Sequence, residues 1–170
     1  MKVLVVVDFQ NDFIDGALGT EEAKNIVDYV KDKINNFKGK IIYTMDTHFE
    51  DYLETAEGKN LPVVHCIKNS QGWLIREGAY KENSKIFEKN GFGSLDLAKY
   101  LVELNEKERI DCIEVLGLCT DICVVVNVLL LKTYLPEVEI VVDSKGCAGV
   151  TSKTHNASLE TMKMCQIKII

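Results

Sequence analysis

The run Val3-Leu4-Val5-Val6-Val7 is apolar at every position and stops at Asp8. A strand with one wet face would alternate apolar and polar residues. An unbroken, largely β-branched run is the pattern of a strand covered on both faces, as in a parallel sheet. Parallel neighbours cannot be joined by a tight turn, so such a chain must return across the sheet through helices. The remaining sequence supplies them. Ala23, Ile26, Val27, Val30 and Ile34 recur at helical spacing between Thr20 and Phe37. Thr20 offers an N-cap, and Glu21 and Glu22 favour the positive end of that helix. Gly39 breaks the pattern, and residues 40–45 read as a second strand.

Further along, residues 84–87, 112–116, 138–142 and 166–170 read as strands three to six. Helices are expected over residues 95–104, 121–131 and near 152–164. Strands alternating with helices predict the α/β class, here a three-layer α/β/α arrangement on a six-stranded, mainly parallel sheet with right-handed crossovers. The 170 residues suit one domain spanning 1–170. Residues 46–82 lack a long periodicity and are rich in Asp, Glu, His, Gly and Asn. A loop of that length inside a compact domain is usually functional or disordered.

Composition narrows the function. Hydrophobic residues make up 46% and charged residues 27% of the chain, an ordinary globular balance. A net charge of −6 argues against nucleic acid or an anionic membrane as partner, since both reward a basic face. The N-terminal apolar run is too short for a signal-peptide core or a membrane span, so a cytoplasmic protein is expected. The six cysteines are then expected to be reduced thiols.

Ligand sites in such sheets lie beyond the carboxyl ends of the strands, near the switch in strand order. Asp8 ends strand one, Asp46 ends strand two, Lys89 follows strand three, and Cys119 and Cys123 follow strand four. Cys123 falls in the first turn of the helix expected from Asp121. Helix-start N–H groups and the macrodipole favour a thiolate there and could receive a developing oxyanion. A small buried core residue is the commoner fate of such a cysteine. Cys119 is less well placed as a nucleophile, and a two-cysteine metal clip lacks further thiolate partners. Asp46 and His48, two residues apart at a strand end, can serve one metal site, with His65 as a third donor from the loop. Carboxylate and imidazole ligands suit Zn²⁺, Fe²⁺ or Mn²⁺.

Four segments occur in order: "VVVDFQNDF" from Val5, "MDTHFEDY" with the later "PVVHC", "FEKNGFGS", and "VLGLCTDICV". Together with "DSKGCAGVTSKTHNASLETM" they resemble the isochorismatase-like cysteine hydrolases, and nicotinamidases most closely. The resemblance implies an Asp, Lys, Cys triad at Asp8, Lys89 and Cys123. It implies an oxyanion hole from the backbone N–H groups of Cys119 and Cys123, with a cis peptide between Leu118 and Cys119. Cys123 would attack a small amide and form a thioester, with Asp8 as general acid–base and Lys89 tuning it.

Nicotinamidases carry Asp-x-His and commonly a further His several residues on, which is missing here. Asp51, Glu54 and Glu57 stand in its place, and the spacing to His65 favours Glu57, with Glu54 next. The implied ligand set is Asp46, His48, Glu57 and His65, holding zinc or else iron or manganese. Phe13 matches a position that stacks on the substrate ring. The aromatic common before the last ligand is replaced by Leu61 and Pro62, so Leu61 is the substrate-binding candidate there. Trp73 reads equally as a pocket cap or a loop anchor, and His155 as structural. The implied activity is conversion of nicotinamide to nicotinate and ammonia in NAD salvage, by a homo-oligomer. A metal-free hydrolase of another amide or carbamoyl compound, an isochorismate-type vinyl-ether hydrolase and an inactive binding protein are the alternatives.

Overall fold

In the computed structural model, which describes residues 1–170, six strands form one sheet. They are β1 (Lys2–Val7), β2 (Lys40–Asp46), β3 (Lys85–Lys89), β4 (Cys112–Leu118), β5 (Glu139–Ala148) and β6 (Lys168–Ile169). The spatial order is β3-β2-β1-β4-β5-β6, and all five pairings are parallel. β1 lies at the centre, between β2 and β4. That position explains its composition: Val3 to Val7 are entirely shielded from solvent.

Seven helices connect the strands: α1 (Asn11–Ile14), α2 (Glu21–Asn25), α3 (Val27–Asn36), α4 (Ala56–Asn60), α5 (Leu95–Lys107), α6 (Val125–Tyr134) and α7 (Ser152–Met164). Contacts between them fall into two groups, α2 with α3, and α5 with α6 and α7, and both groups reach β5. Helices therefore cover both faces of the sheet. The strand order reverses between β1 and β4, so the ends of these two strands flank the switch point. No helix is long and apolar enough to cross a membrane.

The helix expected over residues 20–37 is divided. Thr20 caps α2 by accepting the Ala23 N–H, but Ile26 (φ −91°, ψ −7°) separates α2 from α3. Asn25, a weak helix former, stands at the break. β6 is shorter than expected, and β3 extends to Lys89, which ends that strand instead of following it. β5 runs past Val142 to Ala148 because a register shift between Val115 and Gly117 lets Gly117 and Leu118 pair with Cys147 and Ala148. The polar Asp143, Ser144 and Lys145 hide that continuation in the sequence. Asp143 is buried and accepts hydrogen bonds from Tyr29 Oη at 2.8 Å and Lys33 Nζ at 2.9 Å, while Lys33 also pairs with Glu114. This cluster ties α3 to β4 and β5.

Gly117 sets the end of β4. Its φ is +128°, and a Cβ there would collide with the Val7 carbonyl oxygen of the neighbouring strand. No L side chain fits that conformation without strain. Gly117→Ala is expected to lower the urea midpoint by the equivalent of at least about 1 kcal/mol. An unchanged midpoint would show that β1 and β4 can separate at this end without cost.

Candidate active site

Asp8 directly follows β1; it is buried and adopts φ +44°, a left-handed conformation that residues with a Cβ rarely take. Its N–H bonds to the Thr44 carbonyl at 3.2 Å, and its Oδ1 accepts the Thr44 hydroxyl at 2.6 Å. Its Oδ2 lies 2.6 Å from Lys89 Nζ. Lys89 projects from the end of β3, buried as well, and its ammonium also lies 3.3 Å from Asp46 Oδ1 and 3.5 Å from Cys123 Sγ. One lysine thus joins the ends of β1, β2 and β3 to the turn after β4.

Cys123 lies in a wide π-helical turn, Thr120–Val124, that leads into α6, with Cys119 at its N-cap. The Leu118–Cys119 peptide is cis. The Cys119 carbonyl accepts the N–H groups of Ile122 and Val124, while the Cys119 N–H donates to no acceptor in the protein. That free donor lies next to the candidate nucleophile. Cys119 and Cys123 both line a cavity of about 710 Å³ at the carboxyl end of the sheet. Phe13 and Leu61 line it too, so every sequence-derived candidate except Asp8 and Lys89 borders the cavity. Those two sit beneath its floor.

Burial changes the expected chemistry of the thiol. Position at a helix start favours thiolate, yet desolvation, followed by the Asp8 charge, pushes Cys123 well above its ordinary value, with Lys89 opposing. The Cys119 thiol is pushed up to about 12, chiefly by burial. Asp8 is raised by burial despite Lys89, with Asp46 adding to the rise. Lys89 is raised because Asp8, Cys123 and Asp46 outweigh its own desolvation. The arrangement holds a firmly protonated lysine beside a carboxylate with raised proton affinity and a neutral thiol.

The second cluster shares Asp46. Asp46, His48, Glu57 and His65 offer ligand atoms that all lie within 4.8 Å of one another. Asp46 Oδ2 is 2.9 Å from His48 Nε2 and 3.4 Å from His65 Nε2, and Glu57 Oε1 is 3.7 and 3.8 Å from the same nitrogens. His65 Nδ1 bonds to the Val63 carbonyl at 2.7 Å. A carbonyl only accepts, so that nitrogen carries the proton and Nε2 is left as a free electron pair facing the cluster. Asp46 would be raised by its burial, but the hydrogen bond from His48 and the Lys89 charge hold it well below the usual carboxylate range. Two imidazoles and two carboxylates suit a divalent transition metal. Glu57, carried on α4 behind the Thr55 cap, joins the group; Glu54 and Asp51 do not.

The family comparison agrees with this geometry. A family model for the isochorismatase domain matches residues 2–170. The chain belongs to the isochorismatase family. Among solved structures, this isochorismatase-family chain is similar to the pyrazinamidase of Pyrococcus horikoshii in complex with zinc, at 26% identity and a TM-score of 0.85. That alignment covers 99% of this chain and 98% of the other. The pyrazinamidase/nicotinamidase of Streptococcus mutans shares the fold at 22% identity and a TM-score of 0.85, with both chains fully covered. The Bacillus subtilis nicotinamidase/pyrazinamidase shares it at 23% identity and 0.81, covering 99% and 98%. No curated protein matches the sequence.

Three residues of the isochorismatase-family site escaped sequence reasoning. Thr44, a polar residue inside an apolar strand, holds Asp8. Tyr52 is fully buried with its ring 4.7 Å from that of His48 and 5.0 Å from that of His65, forming a wall of the metal cluster. Gln10, between two buried phenylalanines, bonds to the Asp46 backbone. A buried polar residue in an apolar run was the only available signal for Thr44 and Gln10. Trp73 anchors its loop: its Nε1–H donates to Thr47 Oγ1 at 2.9 Å and it does not line the cavity. His155 bonds to the Thr120 hydroxyl at 2.8 Å, buttressing the turn that carries Cys123.

The raised thiol has a measurable consequence. Cys165 is exposed whereas Cys123 is buried. Iodoacetamide at neutral pH is expected to label Cys165 before Cys123 in the folded protein, as followed by peptide mass spectrometry. Faster labelling of Cys123 would show a resting thiolate.

Proposed function

We propose that the chain is a metal-assisted cysteine amidohydrolase that converts nicotinamide and water to nicotinate and ammonia. Family membership and the fold shared with pyrazinamidases and nicotinamidases mark it as an amide-hydrolysing enzyme. The observation that carries the finer reading is the meeting of Asp8, Lys89 and Cys123 with a four-donor metal cluster through the single residue Asp46.

The chemistry follows from the positions. An amide bound in the cavity presents its carbonyl carbon to Cys123 Sγ. As the C–S bond forms, the thiol proton passes to Asp8, whose raised proton affinity suits it to receive and later return a proton. The carbonyl oxygen gains charge and is received by the backbone N–H groups of Cys119 and Cys123. Asp8 then gives its proton to the amide nitrogen, the C–N bond breaks, and ammonia leaves a thioester on Cys123. Water attacks that thioester, Asp8 takes its proton, and the acid departs as the proton returns to the sulfur. Lys89 stays charged and fixes Asp8 between these steps.

Asp46, His48, Glu57 and His65 would hold a divalent transition metal, zinc first and iron or manganese next, which would supply a Lewis acid to orient an electron-rich substrate atom. The zinc-bound state of the Pyrococcus horikoshii pyrazinamidase supports zinc as first choice. Phe13, buried at the cavity wall with its ring 5.6 Å from that of His65, offers a surface for the aromatic ring, and Leu61 offers an apolar contact at the rim. The same reading assigns the enzyme to NAD salvage in the cytoplasm, with a small amide as partner.

An ammonia-release assay over nicotinamide, pyrazinamide, a carbamoyl compound and aliphatic amides tests the proposal. Nicotinamide turnover that is lost on chelation and restored by zinc is expected. Turnover of only a carbamoyl or aliphatic amide, indifferent to chelation, would contradict it. Cys123→Ala is expected to lower kcat by roughly 10³-fold or more while the protein stays folded. Cys119→Ala should stay within about tenfold of wild type, because its assigned donor is a backbone N–H. The opposite ranking would exchange the two cysteines.

A further inference from the structure

The segment Gln10-Asn11-Asp12 contributes no donor to the metal cluster, yet it grips the chain that carries all four. Gln10 is fully buried. Its Oε1 accepts the Asp46 N–H at 2.8 Å, and its Nε2 donates to the Asp46 carbonyl at 2.9 Å and to the Trp73 carbonyl at 2.8 Å. These partners fix which end of the amide carries the oxygen. A side-chain amide pairs with a peptide as another strand would, so the Asp46 backbone is held from both its donor and its acceptor side. Asp46 is the residue on which the two clusters meet.

Asp12 acts on the other end. Its Oδ2 accepts the Cys66 N–H at 2.7 Å, a charge-assisted bond. Cys66 follows His65, is buried, and adopts φ +47°. That conformation is strained for a residue with a Cβ and needs support from its surroundings. The Cys66 carbonyl in turn accepts the His48 N–H at 3.0 Å, so this strained residue sits between the two histidines. Asn11 completes the grip: its N–H donates to the Leu74 carbonyl and its side-chain Nδ2 to the Gln71 carbonyl.

We infer that Gln10 and Asp12 are the positioning residues of the metal cluster, Gln10 setting Asp46 and Asp12 setting His65 and His48 through Cys66. The inference rests on the metal-centre reading above. Four donors from a strand end, a short helix and a loop must converge without a continuous element to align them. Groups that orient ligands from outside commonly contribute 10–100-fold to metal affinity, about the size of effect expected here.

The test uses the full chain, stripped of metal, with zinc affinity read by competition against a chromogenic chelator and the absorption spectrum of the cobalt-loaded protein as a report of coordination. Gln10→Met keeps the length and apolar volume but removes all three bonds. Asp12→Ala removes the carboxylate, whereas Asp12→Asn keeps an acceptor for Cys66. Ile34→Val, in the core of α3, is the stability control. Gln10→Met and Asp12→Ala are expected to weaken zinc binding by roughly 10–100-fold and to alter the cobalt spectrum. Asp12→Asn should restore most of the affinity, and Ile34→Val should lower the unfolding temperature without moving zinc affinity. If Gln10→Met does not fold, the Asp12→Ala and Asp12→Asn pair decides. Wild-type affinity and an unchanged spectrum in Gln10→Met and Asp12→Ala would overturn the inference while leaving the metal centre intact. Failure of the wild type to bind zinc or cobalt would overturn the metal centre and this inference with it.

Discussion

Lys89 holds two carboxylates that belong to different tasks. Its ammonium lies 2.6 Å from Asp8 and 3.3 Å from Asp46, all three buried at the ends of adjacent strands. A buried ion pair repays its desolvation only with close geometry and further hydrogen bonds. Here those bonds come from Thr44 on Asp8 and from His48 on Asp46. Removing the lysine would leave two buried carboxylates facing each other. One cation thus pairs with both Asp8 and Asp46, so the proposed acid–base and metal-binding halves would share one charge. A second lysine between two carboxylates, Lys33 with Asp143 and Glu114, occurs where α3 packs on β4 and β5. It lies outside the cavity that Cys123 lines. Charge pattern by itself does not make a site; the open end of the sheet and Cys123 do.

The sheet puts these groups together without any one segment containing them. Asp8 follows β1, Asp46 and Lys89 end β2 and β3, and Cys123 follows β4, so parallel pairing brings four distant residues to one edge. The reversal of strand order between β1 and β4 opens the crevice there. Burial then alters the balance at the nucleophile. The helix start offers a favourable potential to sulfur, but desolvation and the Asp8 charge prevail and raise the proton affinity of the thiol. A proton transfer coupled to substrate attack fits that balance better than a standing thiolate.

Much of the fold was legible because it is written in local patterns. The apolar run at Val3–Val7 foretold a strand with both faces covered, and Thr20 foretold a cap. The breaks were not legible: Ile26 divides a pattern that is periodic throughout, and the continuation of β5 is concealed by Asp143 to Lys145. α1 and α4 are too short for periodicity to register. At the site, strand ends and motif resemblance pointed to Asp8, Lys89 and Cys123, and spacing favoured Glu57, which is the acidic residue the fold brings to the histidines. Thr44, Tyr52 and Gln10 act only through tertiary contacts, and nothing in their own neighbourhood announces the partner.

The central claim is that Cys123 carries the acyl group between two half-reactions. Rapid-quench peptide mass spectrometry during turnover of nicotinamide tests it most directly. A nicotinoyl adduct on Cys123 that forms and decays fast enough to account for turnover is the predicted result. Hydrolysis of nicotinamide with Cys123 unmodified at every time point, or with the adduct on Cys119, would contradict the account.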